Sequence, residues 1–191
     1  MARAVPGTKS APISEGKGAT VRRRILVFIV VGVVASIVIA ALPASAQTTV
    51  AFNAEFKETF GRAKSRPCSH FLCGVGTVAG YGSATSTFDV TDFAPIDNTN
   101  CADLEAVRVI TLVSDGSTLT LDETGTVCFP GQSFFTPGSE VSFGNPAEIK
   151  TAWTVDGGTG VFSGATGSGT DSGKNAGDQG HSTLTGTLAL P

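Results

Sequence analysis

Few residues in this chain are of types that carry chemistry. It holds two histidines, His70 and His181, and four cysteines, Cys68, Cys73, Cys101 and Cys128. A hydrolase triad needs a nucleophile, a histidine and an orienting acid held within reach of one another. Nothing local to either histidine signals one, and His70 lies between Cys68 and Cys73 rather than opposite a serine. No catalytic residue is therefore assigned. The glycine runs lack the Gly-Lys-Ser/Thr and the strand–loop–helix setting of a phosphate cradle. Asp171 to Asp178 alternates oxygen-bearing residues, but it has no terminal glutamate and Lys174 adds an unhelpful charge. That stretch reads as a hairpin loop, and neither a metal nor a cofactor is expected.

A pocket is the more promising feature. Arg108 interrupts an apolar strand, on the same face as Ala106, Ile110 and Leu112. Pointing inward, it could anchor an acidic ligand group, with Tyr81 and Trp153 lining the mouth of a site for a small apolar molecule. The competing reading puts Arg108 in solvent beside Asp103 or Glu105. It is the preferred one, because an unpaired buried arginine is costly.

The segments that would position these residues begin after an export signal. Arg22-Arg23-Arg24, an apolar run from Ile25 to Leu42, Pro43 and Ala44-Ser45-Ala46 have the layout of a secretory signal cut after Ala46. An uncleaved membrane anchor is the alternative, since such a run can just span a bilayer. The division is thus 1–46 as signal and 47–191 as one domain. Residues 1–46 hold six of the 13 basic residues and one of the 16 acidic ones, leaving seven against 15, a net charge near −8. No basic cluster remains, so nucleic acid and anionic membrane surfaces are poor partners.

All four cysteines fall in the exported part, which predicts two disulfides. Asp115-Gly116 reads as a two-residue hairpin turn between Val107–Val113 and Thr118–Val127, which brings Cys101 and Cys128 within two residues of facing each other. Bridging them is worth about 3.6 kcal/mol in the chain-entropy model, and a local Cys68–Cys73 clamp about 2.2 kcal/mol.

The domain itself is all-β. Val50, Phe52, Ala54, Phe56 and Phe60 face one side of a first strand, with Asn53, Glu55, Lys57 and Thr59 on the other. This is the alternation of a sheet with one buried face. Cys73 to Thr87 holds a second strand, a glycine-rich bend and the start of a third strand that Phe88–Thr91 continues, and further strands follow around Val107–Val113, Thr118–Val127, Ile149–Asp156 and Thr183–Leu190. A basic loop carries Arg62, Lys64 and Arg66, and the loop from Phe129 to Glu148 includes a short strand at Glu140–Phe143. Asp156-Gly157-Gly158 supplies a tight turn, after which Val161-Phe162 leads into a glycine-rich strand. About eight short antiparallel strands and no helix predict a sandwich or an up-and-down β-barrel. Glycines within strands favour the barrel, because closing a sheet requires kinks.

Gly157-Gly158-Thr159-Gly160-Val161-Phe162, with Ala165 and Gly167, resembles the hairpin signature of dirigent proteins and the wider allene-oxide-cyclase-like barrels. Gly76-Thr77-Val78-Ala79-Gly80-Tyr81 resembles their earlier glycine strand. The resemblance implies an eight-stranded antiparallel barrel with a central cavity, forming a homo-oligomer. Dirigent proteins steer the coupling of phenoxy radicals, and allene oxide cyclases close a reactive epoxide into one stereoisomer. No acidic or arginine pocket residue matches either group, so none is carried over. The expectation is an exported, non-enzymatic barrel that binds a small apolar ligand or a cell-envelope partner. The alternative is cavity control of a reactive intermediate.

Overall fold

The computed structural model describes residues 47–60, 68–132, 135 and 146–191. Eight antiparallel strands, β1 (Thr48–Phe60), β2 (Leu72–Val78), β3 (Gly82–Pro95), β4 (Cys101–Leu112), β5 (Thr118–Cys128), β6 (Ala147–Gly158), β7 (Thr166–Ala176) and β8 (Gln179–Leu190), follow one another around a closed barrel. β8 closes on β1, from Thr48 opposite Leu190 to Thr59 opposite Gln179, and full closure leaves no strand edge unpaired. Among the described residues, no helix is long and apolar enough to cross a membrane. The export signal, the basic loop at Arg62–Arg66 and the short strand at Glu140–Phe143 lie outside the described residues.

Alternation decides what fills the barrel. On β1, Phe52, Ala54, Phe56 and Glu58 are buried while Asn53, Glu55 and Lys57 are exposed. Two apolar clusters result. One, at the end where β1 begins, gathers Phe52, Phe56, Ile110, Leu119, Leu121, Trp153 and Leu184, with Tyr81 half-buried against it. The other, where β1 finishes, is built on Leu72, Phe88, Leu104, Val127, Phe129 and Ile149. Trp153 reaches the first only because β7 and β8 are bare beneath it: a Cβ at Gly169 or Gly186 would lie 2.3 or 2.4 Å from the indole. Those glycines are therefore packing residues, and the indole N–H donates to the Thr170 carbonyl at 3.2 Å.

Both disulfides are present, Cys68–Cys73 and Cys101–Cys128. Cys101 faces Cys128 directly, because the β4–β5 connection is longer than a two-residue turn. Leu112 donates its N–H to the Ser117 carbonyl, leaving four residues in the loop and moving the register into line with the bridge.

Two expected loops are strand. Asp156-Gly157-Gly158 belongs to β6, with Asp156 as an extra residue between Val155, opposite Leu121, and Gly157, opposite Thr120. The reversal comes later, in a 3₁₀ turn at Gly160–Phe162 that inserts the fully buried Phe162 into the first cluster, 4.9 Å from Tyr81 between ring centroids. Asp171 to Ala176 is likewise β7 rather than a loop, with Asp171, Gly173 and Asn175 inward and Ser172 and Lys174 outward. In both places glycine and polar content suggested a turn, but ladder pairing prevailed: Gly157 and Gly158 pair with β5, and Asp171–Asn175 with both β6 and β8.

Gly160 has φ +58°, and a Cβ there would lie 2.1 Å from the Ser117 hydroxyl. That hydroxyl accepts the Val161 N–H at 3.1 Å. Gly160→Val should therefore cost at least about 2 kcal/mol and sharply reduce the yield of folded secreted protein. An unchanged melting temperature and normal yield would contradict this account of the turn.

Candidate functional site

Between the two apolar clusters lies a buried ionic layer. Arg108 on β4 is 1 % exposed, with Glu58, Glu123 and Asp171 at 4 %, 1 % and 3 %. Its Nε donates to Glu123 Oε1 at 2.5 Å, Nη1 to Glu58 Oε1 at 2.5 Å and to Ser86 Oγ at 3.0 Å, and Nη2 to Asp171 Oδ2 at 2.8 Å. Thr151 donates to Glu123 Oε2 at 2.6 Å and Ser182 to Asp171 Oδ1 at 2.7 Å. The Arg108 guanidinium carbon stands 4.8 Å from the centre of the Phe88 ring. The layer thus draws on β1 and on β3 to β8, and the strand pattern explains why. Glu58, Glu123 and Asp171 occupy inward positions of their strands, the same positions that elsewhere carry Phe, Leu and Trp.

The electrostatics follow from burial. Three carboxylates surround one guanidinium, whose pKa is driven further up by Glu58, Glu123 and Asp171 against the opposing effect of desolvation. Burial pushes the Asp171 carboxyl up to about 6. The pull of Arg108 opposes that rise, and the nearby Glu123 adds to it. The layer sets three acidic side chains against one basic one.

The residues expected to line one mouth are separated. Trp153 is fully buried in the first cluster, Tyr81 packs against Phe162 at that same closed end, and Arg108 sits in the ionic layer. Arg108 does not face solvent beside Asp103 or Glu105. It points inward, and burial is tolerable because every guanidinium nitrogen has an acidic partner. Nor is it free to anchor an acidic ligand.

The unfilled space is at the other end. A half-open cavity is lined by Phe60, Phe71, Phe88, Phe93, Phe129 and Asn175, among others. Its enclosed part measures about 20 Å³, room for roughly one water. No titratable side chain lines it. Phe60 and Phe71 meet edge to face at 5.5 Å, and Phe71 follows His70 on the loop that the Cys68–Cys73 bridge closes. That loop is tied down by Asp89, which accepts from the Phe71 N–H at 2.9 Å and pairs with His70 Nδ1 at 2.5 Å. Burial works to raise the Asp89 pKa, but the bonds from His70 and the Phe71 amide outweigh it and hold the carboxyl below its usual range.

Residue composition did not point to Glu58, Glu123 or Asp171, or to the phenylalanine ring of the second cluster. Period-2 position was the available signal: Glu58 falls two residues after Phe56 and two before Phe60, and Glu123 two after Leu121.

Because the Asp171 pKa is raised above its ordinary value of 3.8 to about 6, the folded state holds this proton more tightly than the unfolded one. Its contribution to stability is full below about pH 4 and is lost as pH rises through about 6. Asp171→Asn keeps an acceptor for Arg108 and a partner for Ser182. The variant should gain on wild type by up to about 3 kcal/mol between pH 4 and pH 7.5 in paired urea titrations. A constant difference across that range would contradict the assignment.

Compared with known proteins, the chain matches no family model, no curated protein and no solved structure.

Proposed function

We propose that this chain is an exported binding barrel that takes up a small apolar molecule at the end where β1 finishes. The observation that carries the reading is the half-open cavity whose lining includes five phenylalanines and no titratable group, the composition of a site that recognises its ligand mainly by apolar contact. Phe60, Phe71, Val90 and Phe93 are only partly buried around it. Exposed Asn53, Glu55, Lys57, Asp103 and Glu105 on the outer face suit a barrel standing in water, the reverse of a lipid-facing wall. Two disulfides suit an oxidising compartment outside the cell, and the segment ending in Ala44-Ser45-Ala46 supplies the route there.

The dirigent-like or cyclase-like alternative draws support from the polar groups that converge inside the barrel. Those groups bond one another, however, and Phe88 lies between Arg108 and the cavity, so binding is the preferred reading.

Protein secreted by its own host should begin at Gln47 on N-terminal sequencing. An N-terminus upstream of Arg22 on membrane-bound protein would support an anchor instead. The neutral fluorophore N-phenyl-1-naphthylamine should bind saturably at one site per chain, and Ala147→Phe, which fills the cavity from β6, should abolish the signal while leaving the melt cooperative. Binding that never saturates, or that a folded Ala147→Phe variant retains, would sink the reading.

A further inference from the structure

We infer that Asn175 selects the polar group of the ligand: the cavity takes an apolar molecule that carries one uncharged carboxamide or lactam, held by hydrogen bonds to the Asn175 side-chain amide. The inference deepens the binding reading above and rests on it.

Three observations single out Asn175. It is the only polar side chain in a cavity wall otherwise made of phenylalanine and aliphatic residues. It is 5 % exposed, yet none of the side-chain hydrogen bonds of the described residues involves its amide. Nor is that amide sealed away: the sealed, unpaired side-chain atom among the described residues is Gln132 Nε2. Buried polar groups in native proteins are paired, so an amide that is buried, unpaired and open to a cavity is left for a partner from outside the chain. The neighbouring strand makes room for it. Gly180 on β8 faces Asn175 on β7, and a Cβ at Gly180 would lie 2.1 Å from Asn175 Oδ1. Any larger residue there would displace the amide.

The chemistry of the partner follows from the donors and acceptors present. An asparagine amide offers an acceptor oxygen and N–H donors side by side, and a second amide matches it with one of each, whichever way the Asn175 group is turned. A ligand that fills the space without bonding the amide cuts it off from water and leaves it unpaired, a loss of about 5- to 150-fold in affinity. A charged head would find no counterion. No titratable side chain is in the wall, the Arg108 nitrogens are each bonded to a carboxylate, and Lys174 points outward and pairs with Glu148 at 3.1 Å.

The test is displacement of N-phenyl-1-naphthylamine from the full secreted protein at neutral pH by three probes of like shape: benzamide, its apolar counterpart cumene, and the anion benzoate. Water holds benzamide more tightly than cumene, so the readout is the ratio of their inhibition constants in wild type against the same ratio in a variant, where solvation of the probes cancels. Asn175→Leu removes the amide, and Gly180→Ala keeps it but moves it. In each, benzamide should lose about fivefold or more relative to cumene. In the wild type, benzamide should compete better than benzoate. An unchanged ratio in either folded variant, no competition by benzamide in the wild type, or stronger competition by benzoate would overturn the inference and leave the apolar binding site standing. An Asn175→Leu chain that cannot fold would overturn it too, because an amide on which the fold depends is not one left for a ligand. Failure of the wild-type protein to bind the fluorophore at all would instead overturn the binding reading, and this inference with it.

Discussion

Arg108 is the residue on which the interior depends. Its guanidinium bonds Glu58 on β1, Ser86 on β3, Glu123 on β5 and Asp171 on β7, so one side chain on β4 ties together all four odd-numbered strands. Thr151 and Ser182 add β6 and β8 through their bonds to Glu123 and Asp171. Taking these charges from water costs several kcal/mol per ion, and mutual attraction offsets that only where every lone pair and proton is matched. Removing one partner from such a set costs about 3–5 kcal/mol, because the others are left buried and uncompensated. An all-apolar layer of equal volume could be as stable. What the ionic layer adds is directional: each acid must meet a particular nitrogen, which penalises a strand that slips in register.

That layer also separates two ends with different physical characters. At the closed end Trp153 lies on Gly169 and Gly186, edge to face with Phe52 at 5.4 Å, and Phe162 enters from the 3₁₀ turn. Here glycine in β7 and β8 makes room for the largest side chain in the core, so the space is used up by packing. At the other end phenylalanines line a half-open cavity, and the Phe71 loop beside it is held by the Cys68–Cys73 bridge and by Asp89.

Much of this was legible in the residues. Alternation alone placed Phe52, Ala54 and Phe56 inside, and an even set of cysteines, with the hairpin register, predicted both bridges. The strands, closed barrel and disulfides follow from local signals, because period-2 burial and turn residues act over a few positions. The errors were local too. Asp156-Gly157-Gly158 and Asp171–Ala176 look like loops by composition, yet pairing of Gly157 and Gly158 with β5, and of Asp171–Asn175 with β6 and β8, holds them extended.

By itself the sequence determined the fold class and the acidic character of the domain, since each rests on composition or on neighbours a few residues apart, and it gave the Cys101–Cys128 pair, 27 residues apart, through the register of one hairpin. It could not determine the fate of Arg108. Whether a charge in an apolar strand is buried depends on what lies across the barrel, and its partners come from positions 50 residues before it, at Glu58, to 63 after it, at Asp171. Only closure of β8 on β1 brings those strands around one centre, and only then do three inward acids become counterions rather than errors of patterning. The aromatic cavity arises the same way: Phe60, Phe88 and Phe129 share no local motif, and they meet only because the closed sheet brings β1, β3 and the end of β5 around one space.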